Sequence, residues 1–316
     1  MKNLNNRILF LTLLVLFGLL SLFTHDFLTI ENIYDIFNNY AMLMILACGL
    51  LVVLIAGGID ISFPAITIIA QYVMISIIQH YHIGLIGVFA IAILVGGLFG
   101  MLNAVIIHKL AVPAIIITIS TLNIFYGALL YVTKGVWLYD FPHWFQQEYI
   151  LFKHTTAEGV EYGLSFQIIV MLCVILMTHL LLNKVSLGRQ IYALGGNKES
   201  ALRIGFNLLK LHILAYGYMG IMAGVAGVVQ SYTVQSVAPD SLLGYELTVL
   251  TAVVLGGASL TGGKGTLSGT VMGVALVAMI QNGLNLLNVS SYWQMVITGC
   301  IMILSISLTA LAQHKK

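Results

Sequence analysis

The sequence predicts an all-α polytopic membrane protein of about ten transmembrane helices, interrupted by glycine-rich breaks, with both termini in the cytosol. Three observations carry this expectation. Of the 316 residues, 60% are hydrophobic and only 8% are charged, against about 25% charged in soluble domains. So few charges cannot cover a soluble surface. Apolar stretches near the ~20 residues needed to span a bilayer recur along the whole chain. Finally, glycines punctuate stretches too apolar to be loops, above all GGASLTGGKGT at 256–266. In hydrocarbon, irregular backbone survives only where protein buries it or where it lines a wet cavity. The 256–266 stretch therefore reads as a tight, protein-buried break between two membrane helices.

Taken in order, the first span is expected at 8–24, behind Lys2 and Arg7. It reads as a retained helix rather than a signal peptide, because no small-x-small cleavage site follows it. The next five spans fall at 39–56, 61–79, 84–107, 112–133 and 164–182. After a polar stretch the pattern resumes at 212–230, 245–260, 266–283 and 292–311. Two small-residue faces, Gly96-Gly97-Gly100 and Gly217-Gly220-Gly224, are of the kind that lets membrane helices pack closely. Cys48, Cys173 and Cys300 lie in apolar runs without metal spacing, and each reads as a buried small hydrophobe.

Charge tests the layout independently. With the N-terminus in the cytosol, eleven of the thirteen Lys and Arg residues fall inside, and only Lys134 and Lys153 fall outside. That is the expected positive-inside bias. Most acids, including Asp26, Glu31, Asp35, Asp140 and Asp240, lie on the opposite side. The net charge of +2 gives no sign of nucleic acid, and no nucleic-acid partner is expected; the partner that composition implies is the lipid bilayer.

Two polar segments interrupt the bundle. The outer one, 134–163, carries Trp137, Tyr139, Phe141, Trp144 and Phe145. It reads either as an interfacial aromatic belt, the preferred reading, or as a docking surface or lid over a pore. The inner one, 183–211, reads NKVSLGRQIYALGGNKESALRIGFNLLKL. Residues 200–211 place Leu202, Ile204, Leu208 and Leu209 near helical spacing, which suggests a short amphipathic helix under the membrane. Gly195-Gly196-Asn197 would supply the turn before it.

Motifs for chemistry are few. GGKGT at 262–266 is not a phosphate loop: Lys264 is followed by Gly265, and no strand precedes it. Neither metal spacing nor a Ser/His/Asp arrangement is visible, so neither an enzyme nor a cofactor is expected on this chain. Asp60, in AGGIDISFPA, is an acid within a long apolar region. Such residues are costly and mark pathways or gates, but Asp60 could instead cap the following helix through the Ser62 or Phe63 amide. Gly57, Gly58 and Pro64 around it suggest a broken backbone, the kind that marks transporter sites. Further polar residues lie within spans: Gln71, Asn103, Thr118, Thr121, Asn123, Glu246, Gln281, Asn282 and Asn285. Interhelical hydrogen bonds of about 0.6 kcal/mol each account for many of these. As a set, amides and hydroxyls suit a neutral, hydroxyl-rich solute better than an ion. The pathway candidates are Gly57, Gly58, Asp60, Ser62, Asn103, Thr118, Thr121, Glu246 and Asn282. An ion-coupled transporter acting without an ATPase is the alternative; it would rely on Asp60, Glu246 or His179.

Over nearly its whole length the chain resembles the permease subunits of ribose-type (simple-sugar) ABC importers, a family that includes autoinducer-2 importer permeases. AGGIDIS at 56–62 is similar to that family's Gly-Gly-Ile-Asp-Leu-Ser motif. LGRQIYALGGNKESALRIGFN at 187–207 resembles its cytosolic coupling segment, and VLGGASLTGGKGTLSGT with NGLNLLNVSSYWQ resembles its C-terminal signature. LAVPAIIITISTL at 110–122 is similar to another family stretch. Phe63-Pro64 and Thr248 depart from the usual pattern. The resemblance implies a single permease domain, 1–316, in a bacterial inner membrane. It implies a second permease copy or paralogue, a periplasmic solute-binding protein, and a cytosolic ABC ATPase that holds ATP and magnesium. The ATPase would engage the coupling segment, about 183–211, through Gly188, Arg189, Gly195, Gly196, Asn197, Ala201 and Gly205.

Overall fold

The computed structural model describes residues 2–147, 149–155 and 161–314. Its centre is α3 (Ala41–Ile55), an unbroken apolar run whose fifteen residues are all buried. A helix apolar all round has no solvent face and belongs inside. Beside it stands α11 (Leu208–Val234), long enough to cross a membrane and 78% buried over its most apolar window. Around this pair lie α4 (Phe63–Ile78), α5 (Gly84–Leu110), α6 (Ala114–Thr133) and α8 (Phe166–Asn183). The apolar windows of α5, α6 and α8 are about one-third buried or less. Exposed Leu94, Leu98, Ile116, Ile124, Leu172 and Leu176 on these helices form a surface that only lipid would solvate.

The remaining elements close the bundle. α1 (Lys2–Phe23) packs on α13 (Leu267–Leu286), and α12 (Tyr245–Leu255) packs on α13, α14 (Ser291–His314) and α3. Each of the ten segments expected to span contains a helix, although that of 245–260 ends at Leu255. Among the described residues, five helices (α5, α6, α8, α11 and α13) are long and apolar enough to cross a membrane alone. A sixth crossing arises if α3 and the preceding α2 (Ile30–Asn39), bent by 43°, form one span. The apolar parts of α1, α4, α12 and α14 are shorter. The chain is a multi-pass helical membrane protein.

Four expectations need correction. The fold is not wholly α-helical: β1 (Ile150–Thr155) pairs antiparallel with β2 (Glu161–Ser165) in the outer segment. Helix α2 is additional; Thr29 caps it by accepting from the Asn32 amide at 3.2 Å. The inner segment is not one helix over 200–211. It forms α9 (Ser186–Gly196) and α10 (Lys198–Arg203), turns at Gly205, and gives Leu208 and Leu209 to the start of α11. Helical geometry thus runs through Gly195 and Gly196, and the turn sits at Asn197. Lastly, only Cys48 is buried, because Cys173 and Cys300 are exposed on α8 and α14.

The outer aromatics divide. Phe141 and Phe145 are buried, and the Phe145 ring meets Tyr232 at 5.8 Å. Trp137 and Tyr139 are exposed and stack at 5.8 Å. This segment, with α7 (His143–Gln146), is tied to the bundle by paired backbone bonds between Leu138 and Val237, both 3.0 Å.

The two glycine faces meet each other, holding α5 against α11. A Cβ on Gly96 would overlap the Gly220 carbonyl oxygen; one on Gly220 would overlap that of Gly96. Gly100 meets the Tyr216 carbonyl, and Gly224 meets that of Ala92. At Gly217 the nearest atom is the Met101 side chain, 3.3 Å away, which can yield. Gly220→Ala is therefore expected to destabilise the fold by about 1–3 kcal/mol, whereas Gly217→Ala should stay within about 0.5 kcal/mol. Melting of the two detergent-solubilised variants checks this; equal melting temperatures would contradict the close approach.

Candidate functional site

Two helices of the bundle end in the same way. After α3, the Gly57 amide donates to Leu54 O at 3.0 Å and the Gly58 amide to Val53 O at 3.2 Å. After α12, Gly257 donates to Val254 O at 2.8 Å and Ala258 to Val253 O at 3.2 Å. Gly57 and Gly257 both have φ +86°, the left-handed geometry that glycine permits without strain. Each helix is thus closed by a Schellman-type cap, and each leads into a break: 56–62 before α4 and 256–266 before α13.

The breaks are in contact. The Gly263 amide donates to Ile55 O at 3.0 Å, satisfying a carbonyl at the end of α3 that lacks an intrahelical partner. A Cβ on Gly262 would lie 2.6 Å from Gly57 Cα. The end of α9 closes the junction. A Cβ on Gly195 would overlap Ile55 O and lie 2.6 Å from Gly263 N; one on Gly263 would lie 2.7 Å from Gly196 Cα. The Tyr192 hydroxyl, also on α9, donates to Gly265 O at 2.9 Å. Burial raises the Tyr192 phenol above its ordinary pKa, so it stays a neutral donor. Three segments distant in sequence therefore meet backbone to backbone, because no side chain stands between them.

Beyond the first break lies a polar cluster. Asp60 is 1% exposed. Its Oδ1 accepts from the Ser62 amide at 2.8 Å and the Ser62 hydroxyl at 2.6 Å. Asn103 Nδ2, from α5, donates to Ser62 Oγ at 2.7 Å. Thr118, from α6, donates to Ile59 O at 3.1 Å, and Thr121 donates to Thr118 O at 3.3 Å. The Asp60–Ser62 amide bond is one of the two that the capping alternative named, but Ser62, not Asp60, is the residue at the N-cap position, and no side chain caps the helix. Asp60 Oδ2 and Asn103 Oδ1 are buried without a partner among the described residues. The Tyr216 hydroxyl occupies the place a Cβ on Gly58 would need.

Other sequence candidates lie elsewhere. Asn282 exchanges amide bonds of 2.8 and 3.2 Å with Asn32, tying α13 to α2. Glu246 sits in the first turn of α12, and among the described residues no hydrogen bond joins it to the Asp60 cluster. In the inner segment, Asn197 caps α10 by accepting from Ser200 N at 2.8 Å, and Gly205 (φ +88°) ends it. Gly188 and Ala201 are buried, the former against the Leu181 and Leu182 carbonyls, while Arg189 is exposed. Sequence reasoning missed Tyr192, Tyr216 and the Ile55 carbonyl. The two tyrosines could have been sought as the groups filling space beside paired glycines; the carbonyl leaves no trace in sequence.

The family described as the permease component of branched-chain amino acid transport systems matches residues 32–306. Among curated relatives, the ribose import permease protein of Escherichia coli strain K12 is 33% identical over 296 residues, covering 94% of this chain and 91% of the relative. The D-allose transport system permease protein of the same organism is 32% identical over 304 residues, covering 95% and 89%. The autoinducer 2 import system permease protein of Yersinia pestis strain Pestoides F is 30% identical over 298 residues, covering 93% and 81%. No solved structure matches. The family and these permease relatives point to a membrane transport subunit rather than an enzyme. This chain belongs to that permease family.

The glycine junction discriminates sharply between neighbours. Gly195→Ala is expected to lower the yield of folded protein several-fold, because its Cβ meets two backbones. Gly196→Ala, with nothing within 4 Å of its Cβ, should be tolerated. Size-exclusion profiles of the two membrane-extracted variants check this, and identical profiles would rule out the packed junction.

Proposed function

We propose that this chain is the membrane-spanning permease of an ATP-driven importer that carries a sugar or sugar-like solute across a bacterial inner membrane by alternating access. On this reading the whole chain is one permease domain with ten crossings and cytosolic termini. It pairs with a second permease copy or paralogue, receives solute from a periplasmic binding protein, and is driven by an ABC ATPase that holds ATP and magnesium. The names of the ribose, allose and autoinducer 2 relatives support the solute class.

The observation that carries the mechanism is the junction of α9 with both breaks. A force applied to the 183–211 segment reaches Ile55 and Gly263 through direct backbone contact, without flexible side chains to absorb it. The exposed surface of α9 and α10, with Arg189 and the Gly205 turn, is the part that faces the ATPase. Asp60 and Asn103 then lie where the moving break meets α5 and α6, so that rearrangement there opens or closes the pathway.

Two tests follow. Gly205→Asp places a β-carbon in left-handed backbone and a charge on the ATPase-facing turn. It is expected to reduce ATPase co-purification and solute uptake at least tenfold while the chain still inserts. Full uptake with an intact complex would remove the coupling role. Asp60→Asn keeps the side-chain oxygen that accepts from Ser62. It should cut uptake more than it lowers the amount of protein in the membrane. A parallel fall in both would reduce Asp60 to a helix cap. Uptake driven by an ion gradient in proteoliposomes lacking any ATPase would favour the ion-coupled alternative instead.

A further inference from the structure

At the end of α11 remote from the α9–α10 segment lies an open cavity of about 300 Å³. The 27 residues of α11 separate the two ends by about 40 Å at 1.5 Å per residue. The cavity is built from α2, the outer segment with α7, β1 and β2, the first turn of α8, and the C-terminal turn of α11. None of its residues belongs to the Asp60 cluster or the glycine junction.

Its walls mix amides and hydroxyls with aromatic faces. The amides of Asn38, Gln146, Gln167 and Gln235 line it together with the rings of Tyr34 and Tyr149. Hydroxyl groups fill in between them; among the described residues that line it, Asp35 is the single acid and there is no Lys, Arg or His. Amides and hydroxyls can both donate and accept, and so can every hydroxyl of a sugar. Tyrosine offers a flat apolar face with a polar tip, which suits the alternating C–H and O–H surface of a pyranose or furanose ring. Among the described residues that line it, a cation would meet one exposed carboxylate and an anion no positive charge. The volume stands at the small end of ligand pockets, which limits the occupant to a molecule of monosaccharide size.

A second observation points the same way. Gln235 is held in left-handed backbone at φ +53°, uncommon for a residue other than glycine. Its Nε2 donates to Tyr232 O at 2.7 Å, while its Oε1 is buried without a partner among the described residues. An unmet acceptor beside a cavity destabilises the protein until a donor is supplied, and a small rotation of this side chain would offer it to a hydroxyl held there.

We propose that this cavity binds one neutral monosaccharide at the outer face, holding it before it enters the bundle; the proposal rests on the importer reading above. The test uses the purified full chain in lipid nanodiscs, without ATPase or binding protein. It is titrated with D-ribose, D-allose and L-arabinose, and with L-leucine as a control, and read by saturation-transfer NMR. At least one of the sugars is expected to bind saturably and leucine not at all. The double variant Asp35→Leu, Gln167→Leu should weaken that binding at least tenfold with an unchanged melting temperature. Tyr34→Leu, which removes only a ring face, should weaken it too. Binding that both variants leave intact would overturn the assignment. So would the absence of binding by a sugar that cells carrying the whole transport locus do take up. If such cells take up none of these sugars, the monosaccharide part of the importer reading falls, and the assignment with it.

Discussion

Helix α11 occupies the middle of the bundle because its backbone lies against that of α5 with no side chain between them. Four positions, Gly96, Gly100, Gly220 and Gly224, each face a carbonyl or backbone atom of the other helix. In lipid there is no hydrophobic drive to hold two apolar helices together, so dispersion across a close contact must do it. Once α11 is fixed on α5, its other faces are committed to α3, α4, α8 and α9. Gln71 of α4 then reaches Gly227 O at 3.2 Å, and Thr178 of α8 reaches Tyr218 Oη at 2.7 Å. The polar residues of the core are thus placed by contacts made of glycine.

The same device recurs at the breaks. Val53-Leu54-Ile55-Ala56-Gly57-Gly58 and Val253-Val254-Leu255-Gly256-Gly257-Ala258 share a hydrogen-bond pattern and a left-handed glycine. Each ends a helix short of the length needed to cross the membrane, and each is followed by backbone that only protein can bury. Gly256 packs on the Gly269 carbonyl in the second break as Gly57 packs on Gly195 in the first. The two breaks are held as a pair by α9, which makes the inner segment part of the core rather than an appendage of it.

Much of this was legible in the sequence. Apolar runs located every long helix, and small-residue spacing identified the faces of α5 and α11 before any contact was known. The glycine density at 256–266 was enough to mark a break, buried at Gly262 and Gly265 but exposed at Gly257, Thr261 and Lys264. What could not be read was pairing over distance. Asn282 looked like a pathway amide but is matched to Asn32, and neither residue carries a sign of the other. Gly195 and Gly196 read as a turn because two adjacent glycines usually make one. Here helical geometry continues through them, and the missing side chain of Gly195 serves a contact with Ile55 and Gly263. The outer hairpin was missed because a bilayer-sized apolar pattern says nothing about short strands outside it, and Phe152 with φ +56° breaks its alternation.

The hydrogen bond from Gly263 to Ile55 has a bearing on biosynthesis. Domains generally begin to fold from the N-terminal side while the ribosome is still adding residues. Helix α3 is made early, yet the carbonyl at its end is satisfied only by an amide near the C-terminal part of the chain. Until that amide arrives, the first break has no partner and its backbone must be met by water or by the insertion machinery. The 56–62 stretch can therefore close on its partner only after Gly263 has been made, about two hundred residues after α3.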